Sequence, residues 1–156
     1  MTLRVRELDL EDAVVAADVR CRFIEEDRQF PPGGLSESFV TANLTFIQQG
    51  MASGCYRSWI AEDSGGAIAG GVGLLLNRMP PRPEDLRTAE AWIIAMWVDT
   101  DLRRAGVGRS LLNACLGAAD GWSVRRLLLW STVAGAPLYA SAGFASAEML
   151  MQMSVE

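Results

Sequence analysis

The chain has 156 residues, with 14 basic and 19 acidic side chains and a formal net charge of −5. This length is typical of one domain with its own core, and the negative charge argues against nucleic-acid binding, which needs clustered basic side chains. Every basic side chain is arginine, because the sequence has no histidine and no lysine. Ser-His and Cys-His catalysis, a P-loop and a lysine Schiff base are therefore excluded, and no bound metal is expected.

The first third of the chain predicts one strand and two helices. Leu3 to Glu7 alternates apolar and polar residues, as a strand does. Asp9 is placed to cap a first helix, which Pro31 and Pro32 cannot continue. Ser36 is placed to cap a second helix with apolar residues on one side.

After Gly54 the apolar residues change to a strand-like period. "SGG" joins two strand candidates as a hairpin, and a loop rich in proline and arginine follows them. The elements predicted after Gly54 are strands at 55–63, 67–77 and 89–98, a helix from Val107, a strand at 125–131, a short helix at 134–143 and a final strand at 144–155.

The order β-α-α-β-β-β-α-β-α-β predicts one α/β domain over residues 1–156, with a mixed sheet and helices on both faces. The passage from Trp92 to Trp130 predicts a right-handed parallel crossover. Residues 1–12 lack the apolar centre of a signal peptide, and no run approaches the ~20 apolar residues of a membrane span. We therefore expect a cytoplasmic protein that does not contact a membrane. Its three cysteines have no CxxC spacing and are expected to be buried free thiols.

The stretch "RRAGVGRSLL" at 103–112 places two glycines at the start of a helix. Glycine there costs about 1 kcal/mol relative to alanine. The first amides of a helix lack internal partners, and the helix dipole makes that end positive, so an anion can bind where Gly106 and Gly108 leave the backbone bare. Taken alone, the pattern fits a glycine-softened helix start equally well. The arginines that add positive charge are Arg103, Arg104 and Arg109.

The longer stretch "MWVDTDLRRAGVGRSLL" resembles the acyl-CoA signature of the GNAT superfamily of N-acetyltransferases, R/Q-x-x-G-x-G/A between a strand and a helix. Arg103, Gly106 and Gly108 match its three defining positions. "LYASAGF" at 138–144 resembles the second signature of that family, which leads into the last strand. The resemblance implies the GNAT fold and acetyl-CoA as the acyl donor.

The same resemblance implies the residues that bind acetyl-CoA. The main chain of Met96 to Val98 would contact the pantetheine arm, and the amides of Arg104 to Gly108 would surround the pyrophosphate. Thr132 stands where many members have asparagine. The implied set is Met96, Trp97, Val98, Arg103, Arg104, Ala105, Gly106, Val107, Gly108, Arg109, Thr132 and Tyr139.

Tyr139 aligns with the tyrosine that protonates the departing CoA thiolate in many members. A tyrosine of pKa ~10 is protonated at neutral pH, whereas a free thiol has a pKa near ~8.5. The alternative is a core aromatic whose hydroxyl bonds to backbone. Where some members have a glutamate base, this chain has Trp92. Glu90 could act as the base through a water, or be a solvated carboxylate while solvent takes the proton.

The acceptor is expected between the first two helices, beside the 78–87 loop. Glu25, Glu26 and Asp27 cluster near that mouth and would attract a cationic amine, although such a charge run also fits a solvated face. The sequence thus predicts an N-acyltransferase that moves acetyl to a primary amine of a small molecule by direct attack in a ternary complex. The alternatives are a non-catalytic acyl-CoA-binding module or sensor, and a protein acetyltransferase. A homodimer is left open.

Overall fold

The computed structural model describes residues 2–147 and 150–155. Its strands are β1 (Leu3–Leu8), β2 (Tyr56–Asp63), β3 (Ile68–Arg78), β4 (Ala89–Val98) and β5 (Arg126–Leu128). Its helices are α1 (Ala13–Asp27), α2 (Glu37–Ser53), α3 (Val107–Gly121) and α4 (Ala136–Ser141), with short 3-10 helices at Leu10–Asp12 and Thr100–Leu102. The predicted order of elements is confirmed from β1 through α4.

Both predicted N-caps are present. The Asp9 carboxylate accepts the amide of Glu11 at 2.9 Å, and the Asp12 carboxylate accepts the amide of Asp9 at 3.4 Å, which forms a capping box. This box opens a 3-10 turn that runs directly into α1. The Ser36 hydroxyl accepts the amide of Phe39 at 3.2 Å at the start of α2. Each cap satisfies an amide that has no partner inside its helix.

The strands form one mixed sheet in the order β1-β2-β3-β4-β5. Neighbouring strands are antiparallel from β1 to β4, whereas β5 is parallel to β4. Helix α3 connects those two parallel strands, which confirms the predicted parallel crossover. The β4–β5 pairing is short and runs from Glu90 and Arg126 to Trp92 and Leu128.

Each face of the sheet has its own core, as a sheet with helices on both faces requires. Leu111, Leu112 and Cys115 of α3 pack with Leu74 and Ala91 of the sheet on one face. On the other face, the buried residues of α1, α2 and the sheet are Leu8, Ala13, Ala16, Ala17, Val19, Ile47, Tyr56 and Ile60.

Burial separates the three cysteines. Cys115 is buried, and burial raises the pKa of its thiol to about 12, which keeps it protonated and inert. Cys21 and Cys55 are only half-buried. The prediction of free thiols is confirmed for all three cysteines, but burial is confirmed only for Cys115. Cys21 lies within α1 on a partly open side of the helix, and Cys55 lies in the turn before β2.

The predicted final strand at 144–155 is not seen in the part of it that the structure describes. Residues 144–147 and 150–155 contain no strand, and residues 148 and 149 lie outside the described residues. Leu150, Met151, Met153 and Val155 are exposed. Among the helices described here, none has the length and apolar character needed to cross a membrane.

Candidate functional site

The first element of the site is a fork between β4 and β5. Their pairing ends at Trp92 and Leu128, and β4 continues alone to Val98. Just beyond the fork, Ala95 and Met96 both lie opposite Val72 of β3, which makes a β-bulge. Ala95 has the left-handed φ of 53° that such an irregularity needs. The bulge bends β4 and leaves its far end with an unpaired edge.

The Val98 carbonyl lies on that unpaired edge. The next amide, that of Asp99, bonds to Ala69 of β3 at 2.9 Å. The C=O of Val98 and the N–H of Asp99 belong to one trans peptide group and point in opposite directions, so the carbonyl of Val98 points away from β3. The end of β4 therefore offers main-chain hydrogen-bonding groups to an extended ligand arm.

The second element is a concave run of amides before α3. Arg104 has a φ of 65° and Gly106 a φ of 86°, whereas Ala105 between them does not have a positive φ. Such alternation turns successive N–H groups towards one point and makes an anion-binding nest. Residues 103–106 are exposed, and the nest opens into the positive end of a 15-residue helix. This backbone geometry is compatible with both sequence interpretations, a glycine-softened helix start and an anion site, and the anion site stays a prediction.

Two of the three predicted arginines contact other groups. The guanidinium of Arg103 donates to the Val98 carbonyl at 3.1 Å and to the Glu26 carboxylate. Arg109 donates to the Ser141 hydroxyl of α4. Both side chains are therefore held by neighbouring groups, although both residues are exposed.

Helix α4 packs on the first turn of α3 and brings Tyr139 to the site. A Cβ on Gly108 would lie 3.2 Å from Leu138, so the glycine allows this close approach. Tyr139 is buried and packs edge-on against Phe144, with ring centroids 5.9 Å apart. Burial, with a smaller contribution from Cys115, raises the pKa of its phenol to about 12. Its hydroxyl makes no hydrogen bond to the residues that the structure describes, so the backbone bond of the alternative prediction is not seen.

Thr132 shapes the turn that precedes α4. Its hydroxyl accepts the amide of Gly135 at 3.1 Å, and its carbonyl accepts the amide of Ala136 at 3.1 Å. These bonds fix the turn between the fork and Tyr139. The Thr132 hydroxyl keeps its own hydrogen as a donor.

Glu90 has a setting that the sequence did not indicate. Its side chain is 3% exposed, and its carboxylate binds Arg125 at 3.0 Å and Arg126 at 3.1 Å. Burial raises the pKa of this carboxyl, but the hydrogen bonds and charges of the two arginines outweigh burial and hold it below its usual value. Glu90 lies in the paired part of β4, on the closed side of the fork. It is therefore a buried ion-pair partner rather than the solvated edge carboxylate of one sequence interpretation, and its action through a water stays a prediction.

Two tryptophans lie at the fork itself. The ring centroids of Trp92 and Trp130 are 5.9 Å apart with an interplanar angle of 29°, so the indoles stack. Trp130 is 64% exposed. The sequence placed both residues on strands but did not indicate their stacking, because the stack depends on the parallel pairing of β4 and β5.

A cavity of about 680 Å³ lies between α1, the start of α2 and the end of β4. Glu25 and Glu26 line it, as predicted for the acceptor mouth, and Asp18 and Arg22 join them. The Glu25 carboxylate accepts the amide of Gly33 at 2.9 Å, which ties the 28–36 loop to α1. The apolar wall consists mainly of Val14, Phe30, Leu35, Val40, Leu44 and Trp97.

The fold is an α/β domain in which a bulged strand, a fork between β4 and β5 and a concave run of amides at the start of α3 lie next to one another. The model of the acetyltransferase (GNAT) family matches residues 21–144. The chain therefore belongs to this family, and the predicted family membership is confirmed. The sequence matches none of the curated proteins.

Solved structures share this fold over nearly the whole chain. A predicted acetyltransferase with acetyl-CoA from Clostridium acetobutylicum has a TM-score of 0.86 at 17% identity, covering 98% of this chain and 96% of that one. A GCN5-related N-acetyltransferase from Ralstonia eutropha JMP134 has a TM-score of 0.77 at 25% identity, covering 98% and 99%. An aminoglycoside acetyltransferase from an uncultured soil metagenomic sample, in complex with sisomicin, has a TM-score of 0.72 at 14% identity, covering 99% and 95%.

Proposed function

We propose that this protein transfers an acetyl group from acetyl-CoA to a primary amine of a small molecule. The observation that carries the proposal is the amide nest at the mouth of α3, next to the unpaired edge of β4. The nest suits a pyrophosphate, and the edge suits the amides of a pantetheine arm. Proteins of the same fold act on small molecules that carry amines, since two similar structures are those of an aminoglycoside acetyltransferase and a glucosamine-6-phosphate N-acetyltransferase.

Acetyl-CoA supplies a thioester whose carbonyl carbon accepts the amine nitrogen. In the proposed complex the main chain of Met96 to Val98 holds the pantetheine arm, and the amides of Arg104 to Gly108 hold the pyrophosphate. Thr132 lies at the turn beyond the fork, where its remaining donor is available to the arm. The reacting end would then lie near the fork between β4 and β5.

Tyr139 is proposed as the general acid. The amine nitrogen forms a bond to the thioester carbon, the carbon–sulfur bond breaks, and the phenol of Tyr139 gives its proton to the departing thiolate. Burial supports this role, since a pKa of about 12 keeps the phenol protonated at neutral pH. Water then reprotonates the phenolate.

The proton of the attacking amine is proposed to leave to solvent. Glu90 is held by two arginines and is almost completely buried, and Trp92 occupies the strand position where some members have a glutamate. Orientation of the amine against the thioester can lower the barrier by several kcal/mol without a strong base. The cavity with Glu25 and Glu26 is the proposed acceptor site, since its carboxylates favour a cationic amine and its walls favour an apolar body.

The proposal is tested by release of CoA thiol from acetyl-CoA in the presence of a panel of primary amines. We expect acetyl-CoA to raise the thermal unfolding temperature and at least one amine to accelerate thiol release above hydrolysis. Binding of acetyl-CoA without turnover on any amine would instead support the alternative function, a non-catalytic acyl-CoA-binding module. The burial of Glu90 between two arginines favours that alternative, because it removes a candidate base. Absence of acetyl-CoA binding would contradict both functions.

Replacing Tyr139 with phenylalanine is expected to lower kcat by roughly 10²-fold, because it removes the proton donor for the thiolate. The affinity for acetyl-CoA should change little. Tyr56→Phe is the matched control, since Tyr56 is the other tyrosine, is also buried with its pKa raised to about 12, and packs on the opposite face of the sheet. Equal turnover of Tyr139→Phe and wild type would assign Tyr139 to packing alone.

A further inference from the structure

Glu26 connects the proposed acceptor cavity with the proposed acetyl-CoA site. It lies in the last turn of α1 and lines the cavity. One of its carboxylate oxygens accepts the indole N–H of Trp97 in β4 at 3.2 Å. The other accepts the guanidinium of Arg103 from the loop before α3. One carboxylate therefore binds the end of β4 and the loop that follows it.

Arg103 in turn covers the edge that a pantetheine arm would use. Its Nε donates to the Val98 carbonyl at 3.1 Å, and that carbonyl points away from β3 into the fork. A guanidinium lying there and an extended arm pairing with the same edge compete for one space. The contact with Glu26 keeps the guanidinium in that place and turns it towards α1, away from the nest at Arg104 to Gly106.

We propose that Glu26 and Arg103 form a latch over the acyl-CoA site, which the incoming phosphates open. This inference rests on the proposed function. Both side chains are partly exposed, 43% for Arg103 and 46% for Glu26, so solvent weakens their ion pair. A pyrophosphate in the nest offers the guanidinium a stronger, charge-assisted partner. Opening the latch exposes the edge of β4 and moves Arg103 from the carboxylate to the phosphates.

The latch predicts that breaking it improves CoA binding. Glu26→Gln removes the charge that holds Arg103, and we expect the dissociation constant for CoA to fall about two- to five-fold, the range of an exposed ion pair. The constant is measured by titration calorimetry with CoA at fixed ionic strength. Far-ultraviolet circular dichroism checks that the variants are folded. We expect them to fold, because the substituted side chains are partly exposed.

General charge repulsion is separated from the latch by two controls. Asp27→Asn removes the neighbouring negative charge, and the structure gives Asp27 no ion pair within its described residues. It should change CoA affinity less than Glu26→Gln does. In the background of Arg103→Ala the Glu26→Gln substitution should have no effect, because a double-mutant cycle isolates the pair.

Unchanged or weaker CoA binding by Glu26→Gln would overturn the latch, as would an equal gain in the Arg103→Ala background. In either case the proposed function would still stand, provided that the wild-type protein binds CoA. Failure of the wild-type protein to bind CoA would overturn the proposed function and the latch together.

Discussion

Glu90→Gln is expected to lower the free energy of unfolding by about 3–5 kcal/mol, the usual cost of removing one partner from a buried ion pair. The side chain of Arg125 is 5% exposed and would keep its charge without the carboxylate that compensates it. Arg125 also donates to the carbonyls of Pro80 and Arg87, so the loss would extend to the 78–87 loop. Urea unfolding at neutral pH measures the difference.

The pH dependence of that difference has a definite sign. The pKa of Glu90 in the folded protein lies below its ordinary value of 4.5. The ionised carboxylate therefore stabilises the fold fully above pH 4.5, and this stabilisation is lost as the pH falls through the pKa of the folded state. The difference in the free energy of unfolding between wild type and Glu90→Gln should therefore decrease below about pH 4.5. Glu7→Gln is the matched control, since the Glu7–Arg57 pair is exposed and should contribute at most about 1 kcal/mol.

The same variant distinguishes a structural role of Glu90 from a catalytic one. With solvent as the proton acceptor, kcat/KM should rise with pH and follow the pKa of each amine, in wild type and in Glu90→Gln alike. The opposite result would be a fall of kcat/KM at acidic pH with the same midpoint for every amine, and the loss of this fall in Glu90→Gln together with a ~10²-fold decrease in kcat/KM. Glu90 would then be the general base.

Gly106→Val is expected to abolish CoA binding. Gly106 has a φ of 86°, a conformation that a β-branched residue adopts only with strain, and its position is open on the side where a Cβ would project. A valine there would both distort the nest and place methyl groups where the pyrophosphate is proposed to lie. Titration calorimetry with CoA measures the loss.

A second glycine separates this effect from backbone strain. Gly54 ends α2 with a φ of 76°, and a Cβ on it would also meet no neighbouring atom. Gly54→Val should therefore lose stability to the same extent, about 1–2 kcal/mol for one strained residue, and still bind CoA. Wild-type affinity in Gly106→Val would show that the pyrophosphate does not use this loop.

The features that the sequence predicted are those whose signals are local. The caps at Asp9 and Ser36 act on amides two or three residues away, so the starts of the first two helices follow from the chain itself. The paired glycines at Gly106 and Gly108 likewise indicated an anion site before α3, because the unpaired amides of a helix start depend only on neighbouring residues. The resemblance to the GNAT signatures covers the same local stretches.

The features that only the tertiary structure decided all join residues distant in the sequence. β5 keeps just the three residues Arg126–Leu128, since its length depends on where the bulged β4 diverges from it. Glu90 became a buried ion-pair partner because the parallel crossover places Arg125 and Arg126 beside it. Arg103 reaches Glu26 across 77 positions of the chain. Periodicity and spacing report which face of an element is apolar, whereas the partner of a charged side chain is fixed by which elements pack together.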